Sequence, residues 1–483
     1  MGLWHRMKHS KKMQKIICTI LVGLIGGNAL FASTNLPYVE NKMLEADYWI
    51  DKLDEPNKIV MTADEIKVYN EKVDLQSGDV VNLAKFNDDQ AVSKEKMINW
   101  TQSFADLAQK WYTYKPEDKA YLHYVGSKAV DASFYQELIN NMDLQNIPNE
   151  VKPEYGVALR RSNMRVLPSK EILVEEPGNY EDDVLQMSAV LLGEPLRILL
   201  KSKDGKWDLV RSYNVMGWMP AEDIGVCDER EWTSYCDAKE LLVVTANKLQ
   251  LPENPYDQRL SELEFSMGVK LPLIDASTVP EIINGQMTLN NYIVKVPVAD
   301  KNGKCSFELV LIPLSSDVSV GYLPYTRANV LNQVFKTLGD KYGWGGVYNN
   351  TRDCSQLMME VYRVFGFDLP RNSSGQRDTF GKVYDVSQKT EEEKMQILNE
   401  SILPGATLHF NGHVMMYIGE DRGRYFVISS LGAVYAPDAS GTYVINNVMG
   451  VAINELSVQR GNKKTWLDNL TTFRVYEMPE ATK

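Results

Sequence analysis

Tyr342-Gly-Trp344-Gly-Gly346-Val-Tyr-Asn-Asn-Thr-Arg-Asp353-Cys354-Ser355-Gln356-Leu-Met-Met-Glu-Val-Tyr-Arg-Val-Phe365-Gly366 is a glycine-rich turn that runs into a helix, with a cysteine at the join. Leu357, Met358, Val361, Val364 and Phe365 recur at helical spacing and Gly366 supplies a left-handed stop, so the spacing predicts a helix from about Asp353. A cysteine in a first helical turn meets unsatisfied backbone N–H groups and the positive end of the macrodipole, and both favour thiolate over thiol. A small buried hydrophobe is the other reading of Cys354, and position alone leaves both open.

A cysteine nucleophile needs a base, usually histidine, oriented by a third group. Of five histidines, His5 and His9 lie in a basic leader, which leaves His123, His409 and His413. His413 opens Gly412-His413-Val-Met-Met-Tyr417-Ile-Gly419, an apolar strand, and Tyr425-Phe-Val-Ile-Ser-Ser430 follows the turn Glu420-Asp421-Arg422-Gly423. If that turn closes a hairpin, His413 faces Ser429 or Ser430.

Asp353-Cys354-Ser355 after the tyrosine-glycine turn, then Leu369-Pro-Arg-Asn372-Ser373, then Gly412-His413 on a strand, resembles the NlpC-type cell-wall cysteine peptidases, a compact papain-like family. The resemblance spans roughly residues 326–483. It implies that Cys354 is the nucleophile and His413 the base, with Ser429 at the place where many relatives carry a more polar third residue. It also implies that Tyr342 adds its hydroxyl to the oxyanion site and that Asp353, Ser355, Asn372 and Ser373 line the substrate-peptide pocket. Asp353 is a candidate partner for a substrate ammonium group. Serine can fix the tautomer of an imidazole but stabilises imidazolium less than a carboxylate does, and Ser430, Asn446 or a water stay open as alternatives.

At 483 residues the chain exceeds one ordinary core. Net charge is −12 with no lysine or arginine run beyond the leader, a balance that excludes nucleic acid and anionic lipid as partners. Met1 to Lys15 is basic, Ile16 to Ala32 is apolar, and small residues follow, so residues 1–33 read as a cleaved secretory signal, with a membrane anchor as the alternative. The protein is expected to be exported to the periplasm, cell envelope or medium, to be a monomer, and to need no metal or other cofactor. Among Cys227, Cys236 and Cys305 at most one disulfide can form, and spacing allows Cys227 with Cys236.

The fold class read from these segments is α+β. Residues 34–150 are polar and helix-rich, with a capping box at Thr62-Ala-Asp-Glu65, and read as an N-terminal clasp in which His123 is a packing residue. Residues 151–225 hold short strands and the turn Asp204-Gly205, ending in Gly217-Trp-Met-Pro220. They resemble the bacterial SH3-like barrels that accompany such peptidases, which implies a barrel against the cleft and a substrate contact for Tyr213. Residues 226–325 read as a second, divergent SH3-like barrel with a hairpin turn at Asn302-Gly303, and residues 326–483 as the peptidase domain. Val383 to Leu403 reads as a polar, solvated insertion.

The resemblance implies an endopeptidase that cuts peptidoglycan stem peptides between D-glutamate and the diamino acid. The alternatives are a wall-binding or scaffolding protein that keeps the fold with little activity, and a papain-like amidase or transferase on another substrate. The thiol at a helix start is expected to alkylate well below the ordinary thiol pKa of roughly 8.5.

Overall fold

A computed structural model describes residues 35–77, 80–86, 91–113, 122–438 and 440–479; the leader, with its signal reading, lies outside them. In the C-terminal part, six antiparallel strands run in the order Lys382–Asp385, Thr472–Val475, Thr407–Phe410, His413–Asp421, Arg424–Pro437, Tyr443–Glu455. Both faces of this sheet are covered, which is why Val-Met-Met-Tyr-Ile reads as an unbroken apolar run. Val414, Met416 and Ile418 face the helix Cys354–Arg363 with Leu357, Met358 and Val361. Met415 and Tyr417 face the opposite layer, built from Leu398, Trp466 and Leu467. Alternate residues of a strand point to opposite faces, so one apolar run feeds two cores.

The segment expected to be a solvated insertion is structural instead. Lys382–Asp385 is the edge strand of the sheet, and Glu391–Ser401 is a helix with a Thr390/Glu393 capping box. Leu398 is buried, and Lys394 is buried too because its ammonium donates to the Leu467 and Asp468 carbonyls. Hydrogen bonding to two helix-end carbonyls is what allows a lysine to leave water.

Seven strands between residues 154 and 227 form one antiparallel sheet, with Trp207 opposite Pro220 and Trp218 opposite Arg165. The run from Tyr155 to Asn163 is split into two strands, Glu154–Ala158 and Ser162–Arg165, with a bend at Leu159 and Arg160. Residues 241–320 form several smaller sheets around a core of Leu242, Val244, Phe265, Leu271, Val294 and Ile312, including the long hairpin Asn291–Ala299 with Cys305–Pro313. Gly303 lies in its turn with φ of 80°.

The N-terminal segment divides its apolar residues between two cores. Trp49 packs on Phe426 and Tyr69 on Phe367, while Ile59–Met61 pairs with Tyr325–Thr326. Further along, Phe104, Tyr135 and Met142 join the core of Trp207 and Trp218 in the seven-stranded unit. His123 is buried with Nδ1 2.8 Å from Tyr135 Oη. Among the described residues no helix is long and apolar enough to cross a membrane.

Candidate active site

The turn and the helix start are tied together by one carboxylate. Asp353 is the N-cap of the helix Cys354–Arg363: its Oδ1 accepts from the Gln356 N–H at 2.8 Å and from Ser355 Oγ at 3.0 Å, and its Oδ2 accepts from the Gly345 N–H at 2.9 Å. Arg371 closes the arrangement, donating from Nη2 to Asp353 Oδ2 at 2.7 Å, from Nη1 to Ser355 Oγ at 2.9 Å and from Nε to Ser188 Oγ at 2.8 Å. Asp353 and Arg371 are both buried, and the Asp353 carboxyl stays below its ordinary value because the arginine and its hydrogen bonds outweigh the upward effect of burial. The carboxylate that the sequence offers to a substrate ammonium is therefore occupied by Arg371 in this structure.

The glycines of the turn are required by its conformation and by its neighbour. Gly345 and Gly346 have φ of 60° and 65°, where side chains are disfavoured, and a Cβ on Gly345 would stand 2.5 Å from Gln186 Cγ. The first barrel grips this turn: Gln186 Nε2 donates to the Gly345 carbonyl at 3.0 Å, Asn163 Nδ2 to the Val347 carbonyl at 3.0 Å, and Arg161 to the Gly346 carbonyl. The barrel thus abuts the site through residues 161–188.

Cys354 occupies the first position of the helix, as its sequence context predicts. The Val414 N–H lies near enough to its sulfur to favour the thiolate, so the thiol sits beside the residue after His413. His413 Nε2 lies 3.1 Å from Ser429 Oγ, so Nδ1 is the ring nitrogen left for the thiol. Met416 pairs with Ile428 and a bulge falls between Tyr417 and Gly419, which shifts the hairpin from the expected register. In the observed pairing Ser429 shares a face with His413. Ser430 turns to the other side and donates to the Arg352 carbonyl at 2.6 Å, while Asn446 donates to the Val444 carbonyl. Phe410 and Trp466 hold the imidazole from two sides, each with its ring centre 5.3 Å away.

The electrostatics correct one expectation. Burial, then the Asp353 charge, push the Cys354 thiol up to about 12, and the Val414 and Ser355 N–H groups only partly offset them. Burial, then Arg460, bring His413 down to about 3. The resting pair is a thiol and a neutral imidazole rather than a preformed ion pair, because both charged forms lose their hydration in this site.

Tyr342 lies close enough to Asp353, Asp182 and Cys354 to feel their charges, and burial raises its pKa further, so its hydroxyl is protonated and can donate. Ser355 is committed to Asp353 and Arg371. Asn372 caps the helix Ser373–Asp378 by accepting from the Gly375 N–H at 2.7 Å; its side chain is exposed, and Ser373 beside it is half-buried. Tyr213 is the residue that moves furthest from its expected role. Its hydroxyl faces Arg363 at 3.2 Å, and Arg363 is the last residue of the helix that Cys354 begins, so Tyr213 serves the far end of that helix and a buried Arg363–Glu194 cluster. Sequence reasoning missed Arg371, Phe410, Trp466 and Arg460. Arg371 stood inside a quoted motif, and its buried partner was the missing signal.

Residues 339–473 match the NlpC/P60 family, and residues 175–220 match the SH3 domain of SH3b1 type. Among solved structures the chain is similar to a novel NlpC/P60 endopeptidase from Photobacterium damselae subsp. piscicida, at 21% identity over 89% of this chain and 97% of that one, with a TM-score of 0.67. It also matches an NlpC/P60 family protein from Bacillus cereus at 20% identity over 61% of this chain and 83% of that one, with a TM-score of 0.39. The first likeness concerns the fold across nearly the whole chain. No curated protein matches it.

Proposed function

The chain carries an NlpC/P60 domain and an SH3 domain of SH3b1 type, and from that premise we propose that it is an exported cysteine endopeptidase that cuts the D-glutamyl to diamino-acid bond of peptidoglycan stem peptides. The observation that carries the reading is Cys354 at a capped helix start beside the His413 strand, with His413 Nε2 on Ser429 Oγ. His413 Nδ1 takes the thiol proton as Cys354 Sγ attacks the amide carbonyl. The oxyanion is held by the N–H of Cys354 and the hydroxyl of Tyr342. The C–N bond breaks, the imidazolium returns its proton to the leaving amine, and a water activated by His413 then resolves the thioester to a carboxylate. Ser429 fixes the imidazole tautomer. Asp353, Ser355 and Arg371 act as positioning residues for the helix start, and Asn372 and Ser373 line the approach.

A thiol held well above its ordinary range together with a neutral third residue favours a second reading, a wall-binding protein with weak activity. Incubation of purified sacculi and of soluble stem peptides with the parent protein and with Cys354→Ala separates the two. New peptide amines released by the parent alone support the peptidase. Retention on sacculi without release by either protein supports the binding role. The barrel pressed against the turn narrows the cleft, so soluble peptides are expected to be cut faster than sacculi.

A further inference from the structure

Cys227 and Cys305 take no part in this chemistry, yet the fold brings them together. Val226 and Lys304 form a parallel bridge, and the Val226 N–H donates to the Gly303 carbonyl at 2.9 Å. The next residue along each strand, Cys227 and Cys305, is therefore in register on the opposite face. Neighbouring strands lie about 4.8 Å apart, within the roughly 4.4–6.8 Å between Cα atoms that a disulfide spans. A Cβ placed on Gly225, which shares the face of Cys227, would lie 3.3 Å from Cys305 Sγ. Cys227 Sγ donates to the Gly225 carbonyl and Cys305 Sγ to the Ser306 carbonyl, each at 3.6 Å; the two thiols are close enough for Cys305 to raise the pKa of Cys227, both are buried, and both are free in this structure. Cys236, at the end of the helix Glu229–Cys236, belongs to the same apolar cluster and is half-buried.

We propose that Cys227 and Cys305 are an oxidation site, joined as a disulfide that ties the last strand of the first barrel to the hairpin of the following module. One S–S bond forms between the two cysteines, the S–S bond of a small disulfide oxidant breaks, and its two sulfurs take up the two electrons and two protons and leave as two thiols. This pairing replaces the Cys227–Cys236 pairing that spacing allowed. Because the first barrel holds the Gly345–Val347 turn, the bond braces the wall of the active site from behind.

The test is a non-reducing proteolytic digest of the full protein after exposure to oxidised glutathione, with free thiols alkylated first. A Cys227–Cys305 peptide pair with Cys236 and Cys354 alkylated is expected, together with a melting temperature several degrees above that of the reduced protein. The Cys227→Ser/Cys305→Ser variant should melt at the same temperature in either buffer. Alkylation of Cys227, Cys236, Cys305 and Cys354 alike, or a bond to Cys236, would overturn the assignment, and the digest decides this even if the double variant fails to fold.

A different observation concerns Arg460. Its guanidinium sits 4.2 Å over the centre of the Phe410 ring, which also packs on His413 and Trp466, and it is close enough to lower the His413 pKa. Among the described residues it makes no ion pair, although it is only half-exposed. In acyl transfer the leaving amine must lie against His413, because His413 protonates it. A charged, unpaired arginine one ring beyond the histidine thus meets the leaving fragment rather than the acyl fragment. Resting on the proposed cleavage site, we infer that Arg460 selects a diamino acid whose side chain ends in a second carboxylate over one that ends in an amine alone.

Two soluble peptides that differ only in diaminopimelate or lysine after γ-D-glutamate test this. The parent is expected to favour the diaminopimelate peptide by about tenfold or more in kcat/KM, as an arginine–carboxylate pair warrants. Arg460→Ala should slow that peptide alone and bring the two together, with Arg460→Lys in between. Equal rates by the parent, or an equal loss on both peptides in Arg460→Ala, would overturn the role of Arg460 while leaving the cleavage site intact. Failure to cut either peptide would remove the cleavage site and this inference with it.

Discussion

His413 Nε2 lies 3.1 Å from Ser429 Oγ, although the two residues are not directly opposed in the hairpin. A neutral hydroxyl here can orient the ring but contributes little to stabilising imidazolium. Ser429→Ala is therefore expected to lower kcat by about tenfold, the worth of one hydrogen bond of roughly 1–1.5 kcal/mol, with KM little changed. Loss of substrate binding in place of kcat would assign Ser429 elsewhere.

The thiol is the second point of test. Cys354 is pushed up to about 12, so the thiolate is scarce at neutral pH and alkylation by iodoacetamide should climb with pH beyond 9. Asp353 contributes to that upward push, so Asp353→Asn should lower the apparent thiol pKa and speed alkylation at pH 7 by about tenfold for each unit of change. A plateau of reactivity from pH 4 to 8 in the parent, expressed as about the same rate throughout, would show a preformed ion pair instead.

The buried pair of Asp353 and Arg371 makes a stability prediction. Removing one partner leaves a buried charge without compensation, and Arg371→Met or Asp353→Asn should each cost about 3–5 kcal/mol in denaturant unfolding. The double substitution should cost less than the two singles together, since it leaves no orphaned charge. Additive losses would mean that the two side chains are not energetically coupled.

His409 predicts acid sensitivity. It is buried with Nε2 2.9 Å from Thr407 Oγ1, and burial followed by Arg474 and Arg377 brings its pKa down to about 3. The unfolded chain binds this proton below its ordinary value of 6.5 while the folded chain does not. Stability is then present above that value and lost as pH falls toward 3, at up to about 1.4 kcal/mol per pH unit. His409→Gln should flatten that part of the stability profile in urea titrations from pH 7 to 4. An unchanged slope would place the acid sensitivity on other groups.

What the sequence made legible is local. The Cys354 helix start, the His413 strand and the Asn302-Gly303 turn are written in runs of a few residues, each with its own signal of glycine or periodicity, whereas the cap that Asp353 supplies was read as a substrate contact. Long-range placement was not legible in the same way. The choice between Ser429 and Ser430 turned on a bulge at Ile418, which no residue type announces. Tyr213 was assigned to the cleft because its barrel belongs there, but the barrel presents Gln186 and Ser188 to the site and keeps Tyr213 for the other end of the helix. Lys394 looked solvated because a charged helix face usually is, and only the Leu467 and Asp468 carbonyls explain its burial. The helix start was expected to favour the thiolate, and it does, but burial and the neighbouring carboxylate act in the opposite direction and prevail.

The most direct test of the central claim is mass spectrometry of the products formed from L-alanyl-γ-D-glutamyl-diaminopimelate by the parent protein and by Cys354→Ala. The account predicts L-alanyl-D-glutamate and free diaminopimelate from the parent, and intact peptide from the variant. Intact peptide from both, with the parent folded and Cys354 reduced, would contradict it.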